Sequence, residues 1–231
     1  LQSCGLSASL PIWTTSPLSL EAEYRRRMEN LSHTGFGIYA QYHIFQFSNG
    51  QISPVRHPDI QMLENLTGYE RERQMVLRNT EVFLEGGSAS NVLLYGDAGT
   101  GKSTTIKAIA HSLAPRGLRL LEVKKNQLYL IPDILDELAG NPLKFILFID
   151  DFGSENLTGW VNDKFYHIIN ERYINKKLTF FTSNVAVEHL DYDDRIKSRV
   201  QDMTYQIPFP EESVRQTQAR ERNKKLLSEI L

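Results

Sequence analysis

Residues 91–95 read Asn-Val-Leu-Leu-Tyr, residues 96–104 read Gly-Asp-Ala-Gly-Thr-Gly-Lys-Ser-Thr, and a helical pattern then runs to Leu113. An apolar strand that passes through Gly-x-x-x-x-Gly-Lys-Ser into a helix leaves few options. The strand is buried, the helix packs back against it, and the loop stands at the strand's C-terminal end. Gly96, Gly99 and Gly101 let the backbone turn tightly and aim successive N–H groups inward, which makes an anion-binding nest. The N-terminus of the following helix adds its positive dipole end. In this arrangement Lys102 reaches the β- and γ-phosphates of a nucleoside triphosphate, and the Ser103 hydroxyl ligates Mg²⁺. Asp97, Ala98, Thr100 and Thr104 complete the phosphate-binding set. A chance match to the four fixed positions is expected in about one chain of this length in a hundred. The flanking strand and helix supply the context that a mere glycine turn would lack. ATP or ADP with magnesium is the expected ligand.

The rest of the chain repeats the strand-then-helix theme. Alternation at residues 118–123 (Leu-Arg-Leu-Leu-Glu-Val) precedes a helix over about 131–138. The apolar run 145–149 precedes a helix over about 160–173, the run 178–182 follows, and a last strand falls near 203–207. A charged helix is expected from Glu211. Short apolar strands alternating with helices imply a parallel sheet covered on both faces, an α/β fold. The expected strand order is 5-1-4-3-2, that of a three-layer P-loop sandwich. Ahead of it, residues 19–31 have an amphipathic helical pattern (Leu20, Tyr24, Met28, Leu31). The aromatic alternation from Gly37 to Phe47 suggests a strand, and Ser48-Asn49-Gly50 a hairpin turn. Another helix spans Tyr69 to Leu84 and stops at Gly86-Gly87. The division expected is a helix-and-hairpin extension over residues 1–60 and a P-loop domain over 61–231, with no evident C-terminal lid.

The run Phe145-Ile-Leu-Phe-Ile149 ends in Asp150-Asp151. Two carboxylates at the C-terminal end of a central strand stand where open α/β sheets bind ligands. By position Asp150 holds Mg²⁺ through water, since magnesium takes few protein carboxylates and keeps several waters. Asp151 orients and polarises the attacking water. Glutamate is common at the second position, and aspartate is one methylene shorter.

Two family resemblances follow from these motifs, and they cover different stretches. Residues from about 20 to 151 resemble the bacterial AAA+-type ATPases classed as domain of unknown function 815. The matching stretches are Pro54-Val-Arg-His-Pro-Asp59, Leu66-Thr-Gly-Tyr-Glu-Arg71, residues 91–96, Arg116-Gly-Leu-Arg-Leu120 and residues 145–151. From about Asp150 onward the chain resembles the DnaC/DnaI-type replicative helicase loaders. There the matches are Asp150-Asp-Phe-Gly-Ser-Glu155, Ile168-Ile-Asn-Glu-Arg-Tyr173, Phe181-Thr-Ser-Asn184, Asp194-Arg-Ile-Lys-Ser-Arg199 and Ser213-Val-Arg215. The resemblance implies further roles. Asn184 takes the sensor-1 position, which feels the γ-phosphate and the attacking water. Arg199 takes the arginine-finger position, completing a neighbouring subunit's site, with Arg195 one helical turn before it. Arg215 takes the sensor-2 position, and Gly68 and Tyr69 fall in the segment lining the adenine. An arginine finger implies a homo-oligomer and slow turnover by the monomer.

Composition narrows the rest. A net charge of -2 gives no overall bias toward polyanions, so any nucleic-acid contact needs a local patch. Arg25-Arg26-Arg27 is one candidate, but Glu21, Glu23 and Glu29 flank it, the pattern of a solvated helix face. One cysteine, Cys4, excludes an internal disulfide and suits a reducing cytoplasm. No apolar run is long enough to span a membrane. The opening residues, interrupted by Pro11 and Pro17, lack the pattern of a signal peptide. The six histidines show no metal-ligand spacing. The leading reading is an oligomerising ATPase of helicase-loader type, acting on a protein partner and single-stranded DNA. A nucleotide-dependent binding module and a P-loop kinase are the alternatives.

Overall fold

The computed structural model describes residues 19–48, 50–153, 163, 166–170, 172 and 177–209. Helix α1 (Leu20–Glu29) leads into two single turns, α2 (Leu31–Thr34) and α3 (Ile38–Gln41), and a hairpin of β1 (Ile44–Ser48) and β2 (Gln51–Pro54). After α4 (Glu70–Leu84) come β3 (Asn91–Tyr95), α5 (Lys102–Leu113), β4 (Leu118–Val123), α6 (Ile131–Leu138) and β5 (Lys144–Ile149). Residues 166–170 are helical, and β6 (Thr179–Ser183), α7 (Asp194–Met203) and β7 (Thr204–Pro208) complete the described chain.

The strands form one seven-stranded sheet in the order β2-β1-β4-β5-β6-β3-β7. Strand β2 pairs antiparallel with β1, and every other pairing is parallel. Side chains alternate across the pleat, so each central strand feeds two cores. Val92, Leu94, Ile146, Phe148 and Phe180 pack with Val76, Ile106 and Ile109 of α4 and α5. Leu93, Leu147, Ile149 and Phe181 pack on the other face with Ile131, Ile134, Ile169, Ile196 and Val200. Burial on both faces is why these strands read as unbroken apolar runs.

The strand order differs from the expected five-strand order in one respect. The five strands after the hairpin do run 5-1-4-3-2 when numbered in chain order, but β1 docks parallel to β4 and extends the sheet by two. The hairpin covers the exposed N–H and C=O row of β4, which would otherwise be an open edge. A second correction concerns residues 37–43. The aromatic alternation suggested a strand from Gly37, yet residues 38–41 form a helical turn and the strand starts at Ile44. Tyr39 is drawn in by packing, its ring 4.9 Å from Phe45 and 5.6 Å from Phe145. The apolar stripe of α1 is not buried, since Leu20, Tyr24 and Met28 are all exposed. The three arginines beside it pair with Glu21 and Glu23 of the same helix, as a solvated face does.

Two polar contacts tie the N-terminal segment to the sheet. Arg119 of β4 is 5% exposed and donates to the carbonyls of Tyr39 at 2.8 Å, Thr34 at 3.3 Å and Ala114 at 2.9 Å. Its five donors suit a site rich in backbone oxygens, and burial holds its pKa below the usual arginine range. His43, just before β1, shares a 2.7 Å hydrogen bond between its Nε2 and Nδ1 of His111 in the last turn of α5. Burial, then His111 and Arg119, push the His43 pKa down. A base whose folded pKa is depressed is stabilising above its unfolded pKa of about 6.5 and loses that contribution as pH falls below it. The urea midpoint is therefore expected to drop between about pH 7 and about pH 5.5, and His43→Gln to flatten that slope. An unchanged slope in the variant would assign the pH dependence to other groups.

Candidate nucleotide-binding site

Parallel strands deliver their C-terminal ends to one edge, and there β3, β5 and β6 meet. After β3 the chain turns at Gly96, whose φ is 139° and whose N–H donates to Ser183 O at 3.2 Å. A Cβ at Gly96 would collide with the carbonyl oxygen of Phe209, which follows β7 and donates its own N–H to Tyr95 O at 2.7 Å. Gly101, at φ 90°, is the N-cap of α5 and has open space around it. Left-handed backbone alone requires glycine there.

Lys102 follows at the first position of α5 and is only 6% exposed. Its Nζ donates to Gly96 O at 2.6 Å, Asp97 O at 2.7 Å and Thr100 Oγ1 at 3.4 Å. Thr100 Oγ1 in turn donates to Asp97 O at 2.9 Å, which stiffens the loop. Burial lowers the Lys102 pKa, and Asp151, Asp150 and Asp97 work in the opposite direction. A buried ammonium needs all three donors met, and the loop meets them with its own oxygens.

Ser103, one residue on, faces β5. Its Oγ donates to Asp150 Oδ1 at 2.7 Å, joining the loop helix to the acidic strand end. Thr182 Oγ1 donates to the same carboxylate oxygen, and the Asp151 N–H reaches it at 3.2 Å. These three bonds all fall on Oδ1 and none engages Oδ2. Asp151 is exposed and adopts a left-handed φ of 55°, sparsely populated for a residue with a Cβ. Hydroxyl and carboxylate oxygens are the donor set that magnesium takes, alongside retained waters, so Ser103 and Asp150 fit that ion.

The other expected residues divide into three groups. Asn184 is exposed directly after β6, at the same edge as the loop. Tyr69 caps α4 with a left-handed φ of 58°, and its ring lies 5.0 Å from Phe209, the residue that abuts Gly96. Gly68 beside it offers its carbonyl to Arg73 Nη1. Arg199 is elsewhere. It lies in α7, whose C-terminal end meets the start of β7 opposite Asn91, and it pairs with Asp202 at 3.5 Å. Arg195 pairs with Asp193 and Asp163. Arg215 lies outside the described residues. One contributor was not anticipated as a site residue. Thr182 sits in a strand buried throughout, where a polar side chain requires a partner, and that was the available signal.

A phosphate loop, an acidic strand two places away in the sheet and a 5-1-4-3-2 core define a P-loop nucleotide-binding domain of the AAA+ class. The chain belongs to the family described as protein of unknown function (DUF815), whose family model matches residues 40–159. It is also similar to the replicative helicase loader DnaI of Bacillus subtilis, at 28% identity over 122 residues, 47% of this chain and 37% of that protein. An ATP-binding protein in an insertion sequence of Mycobacterium tuberculosis is 28% identical over 106 residues, 43% of this chain and 42% of its own length. The chain thus spans about two fifths of the length of these relatives. Among solved structures, DnaI superposes with a TM-score of 0.52 at 27% identity, covering 66% of this chain and 89% of that one. DnaA from Aquifex aeolicus bound to AMPPCP gives 0.53 at 23% identity over 74% of this chain and 56% of that one, a likeness of fold.

The collision at Gly96 makes a direct test. Gly96→Ala is expected to cost more than about 1 kcal/mol of stability, since the backbone is left-handed and the obstacle is main chain. Melting temperature reads this, and an unshifted melt would show that the turn relaxes freely.

Proposed function

We propose that the chain binds ATP with magnesium at this loop and hydrolyses it, acting as an assembled AAA+-type ATPase. The observation that carries the reading is the Ser103–Asp150 hydrogen bond beside the buried ammonium of Lys102. It supports a site where a phosphate chain replaces the loop carbonyls as partner of Lys102, while Ser103 and Asp150 hold the cation. Magnesium, when bound, neutralises charge on the phosphate oxygens.

The chain's own groups would then act as follows. The N–H groups of residues 96–103 and the α5 N-terminus hold the triphosphate. Asp151 orients the water for in-line attack on the γ-phosphorus, and Asn184 contacts that water or the phosphate from β6. Tyr69, whose ring lies 5.0 Å from that of Phe209, is the residue proposed to line the base. In this reading Arg199 completes the site of a neighbouring subunit, and turnover requires assembly. Arg215 remains a candidate for the phosphate-sensing role. The relation to helicase loaders supports a replication role in the cytoplasm, with a protein partner and single-stranded DNA as ligands.

ATP hydrolysis with and without single-stranded DNA, with solution mass measured in ATP, tests this reading. Arg199→Ala is expected to lower stimulated turnover by at least about a hundredfold while sparing ATP binding. Turnover by the variant equal to the parent's would sink the assembled-site reading. A parent that binds ATP without multiple turnovers would instead make this a nucleotide-dependent binding module.

A further inference from the structure

We infer that Thr182 is a positioning residue that sets the carboxylates of Asp150 and Asp151 in place from the neighbouring strand. The inference rests on the nucleotide-binding reading above and names the group that makes the acidic turn competent.

The local problem is the end of β5. Strand pairing with β6 is regular through Ile149 and Phe181, after which the chain must place two consecutive carboxylates differently. Asp150 turns toward α5 and accepts from Ser103, while Asp151 stands out in a left-handed conformation. A non-glycine residue holds such a conformation only when its surroundings impose it. Thr182 supplies three contacts that do so. Its carbonyl accepts the Phe152 N–H at 2.7 Å, and its hydroxyl oxygen accepts the Asp151 N–H at 3.1 Å. The same hydroxyl donates to Asp150 Oδ1.

The direction of these bonds is fixed by chemistry. An amide N–H can only donate, so the Thr182 oxygen must accept from Asp151, and its single proton is left for Asp150. Because Ser103, Thr182 and Asp151 all converge on Oδ1, the carboxylate plane is set and Oδ2 is left to other partners. Thr182 is 1% exposed, which shields this bond from competing water. Asn184 is two residues further along the chain, directly after β6. A shift of the β6 end that follows contact of Asn184 with nucleotide would therefore pass through Thr182 to both carboxylates.

Thr182→Ser and Thr182→Ala test this, because both lose the methyl group and differ only in the hydroxyl. ATP affinity is measured for parent and variants by titration in magnesium and in EDTA, alongside melting temperature and turnover. Alanine is expected to lose most of the magnesium-dependent gain in affinity, by about tenfold, with affinity in EDTA unchanged. Serine is expected to keep the gain. A general folding defect would instead lower both affinities together and follow the melting temperature. Equal magnesium dependence in serine, alanine and parent would overturn the role of Thr182 and leave the nucleotide site standing. A parent that binds no ATP in either condition would remove the nucleotide site, and this inference with it.

Discussion

A lysine ammonium almost wholly removed from water is the constraint around which the rest is arranged. Desolvation of the charge is unfavourable by several kcal/mol unless its donors are met. Two carbonyls and a hydroxyl of the same loop meet them, and this requires the backbone to fold back on the lysine. Positive-φ turns at Gly96, Gly99 and Gly101 allow that path. Three carboxylates then offset the remaining electrostatic cost, and two of them come from a strand two places away in the sheet.

The sheet order makes this possible. Strand β6 lies between β3 and β5, so the loop strand and the acidic strand are never paired directly. Their separation leaves room for α5 to lean across and for Ser103 to reach Asp150. The intervening strand is then well placed to contact both, through Ser183 O to the Gly96 N–H and through Thr182 to Asp150 and Asp151. The central strand thus works as a spacer that also sets register between loop and carboxylates.

Much of this was legible in the sequence because it is local. The loop, its helix, and the apolar run ending in Asp150-Asp151 each carry their signal within a few consecutive residues. What was not legible depends on partners distant in sequence. The hairpin at residues 44–54 was recognisable as a hairpin, but nothing in it declares that β1 will dock on β4 seventy-odd residues later. The helical turn at 38–41 replaced an expected strand because Tyr39 is held by Phe45, Phe145 and Arg119, contacts no alternation pattern encodes. By sequence Thr182 is an ordinary β-branched strand residue; its contact with Asp150 joins positions 32 residues apart, which no local pattern encodes. Tyr69 illustrates the intermediate case: its place near the loop was expected from resemblance, and the contact that puts it there runs through Phe209.

The claim on which everything else rests is that Lys102 exchanges its loop carbonyls for nucleotide phosphate. A crystal structure with magnesium and a non-hydrolysable ATP analogue reads this directly. The account predicts Lys102 Nζ within hydrogen-bond distance of phosphate oxygens, the bonds to Gly96 and Asp97 broken, and the cation held beside Ser103 and Asp150. A nucleotide found at another place on the sheet, or a Lys102 still bound to its own loop with the analogue present, would contradict it.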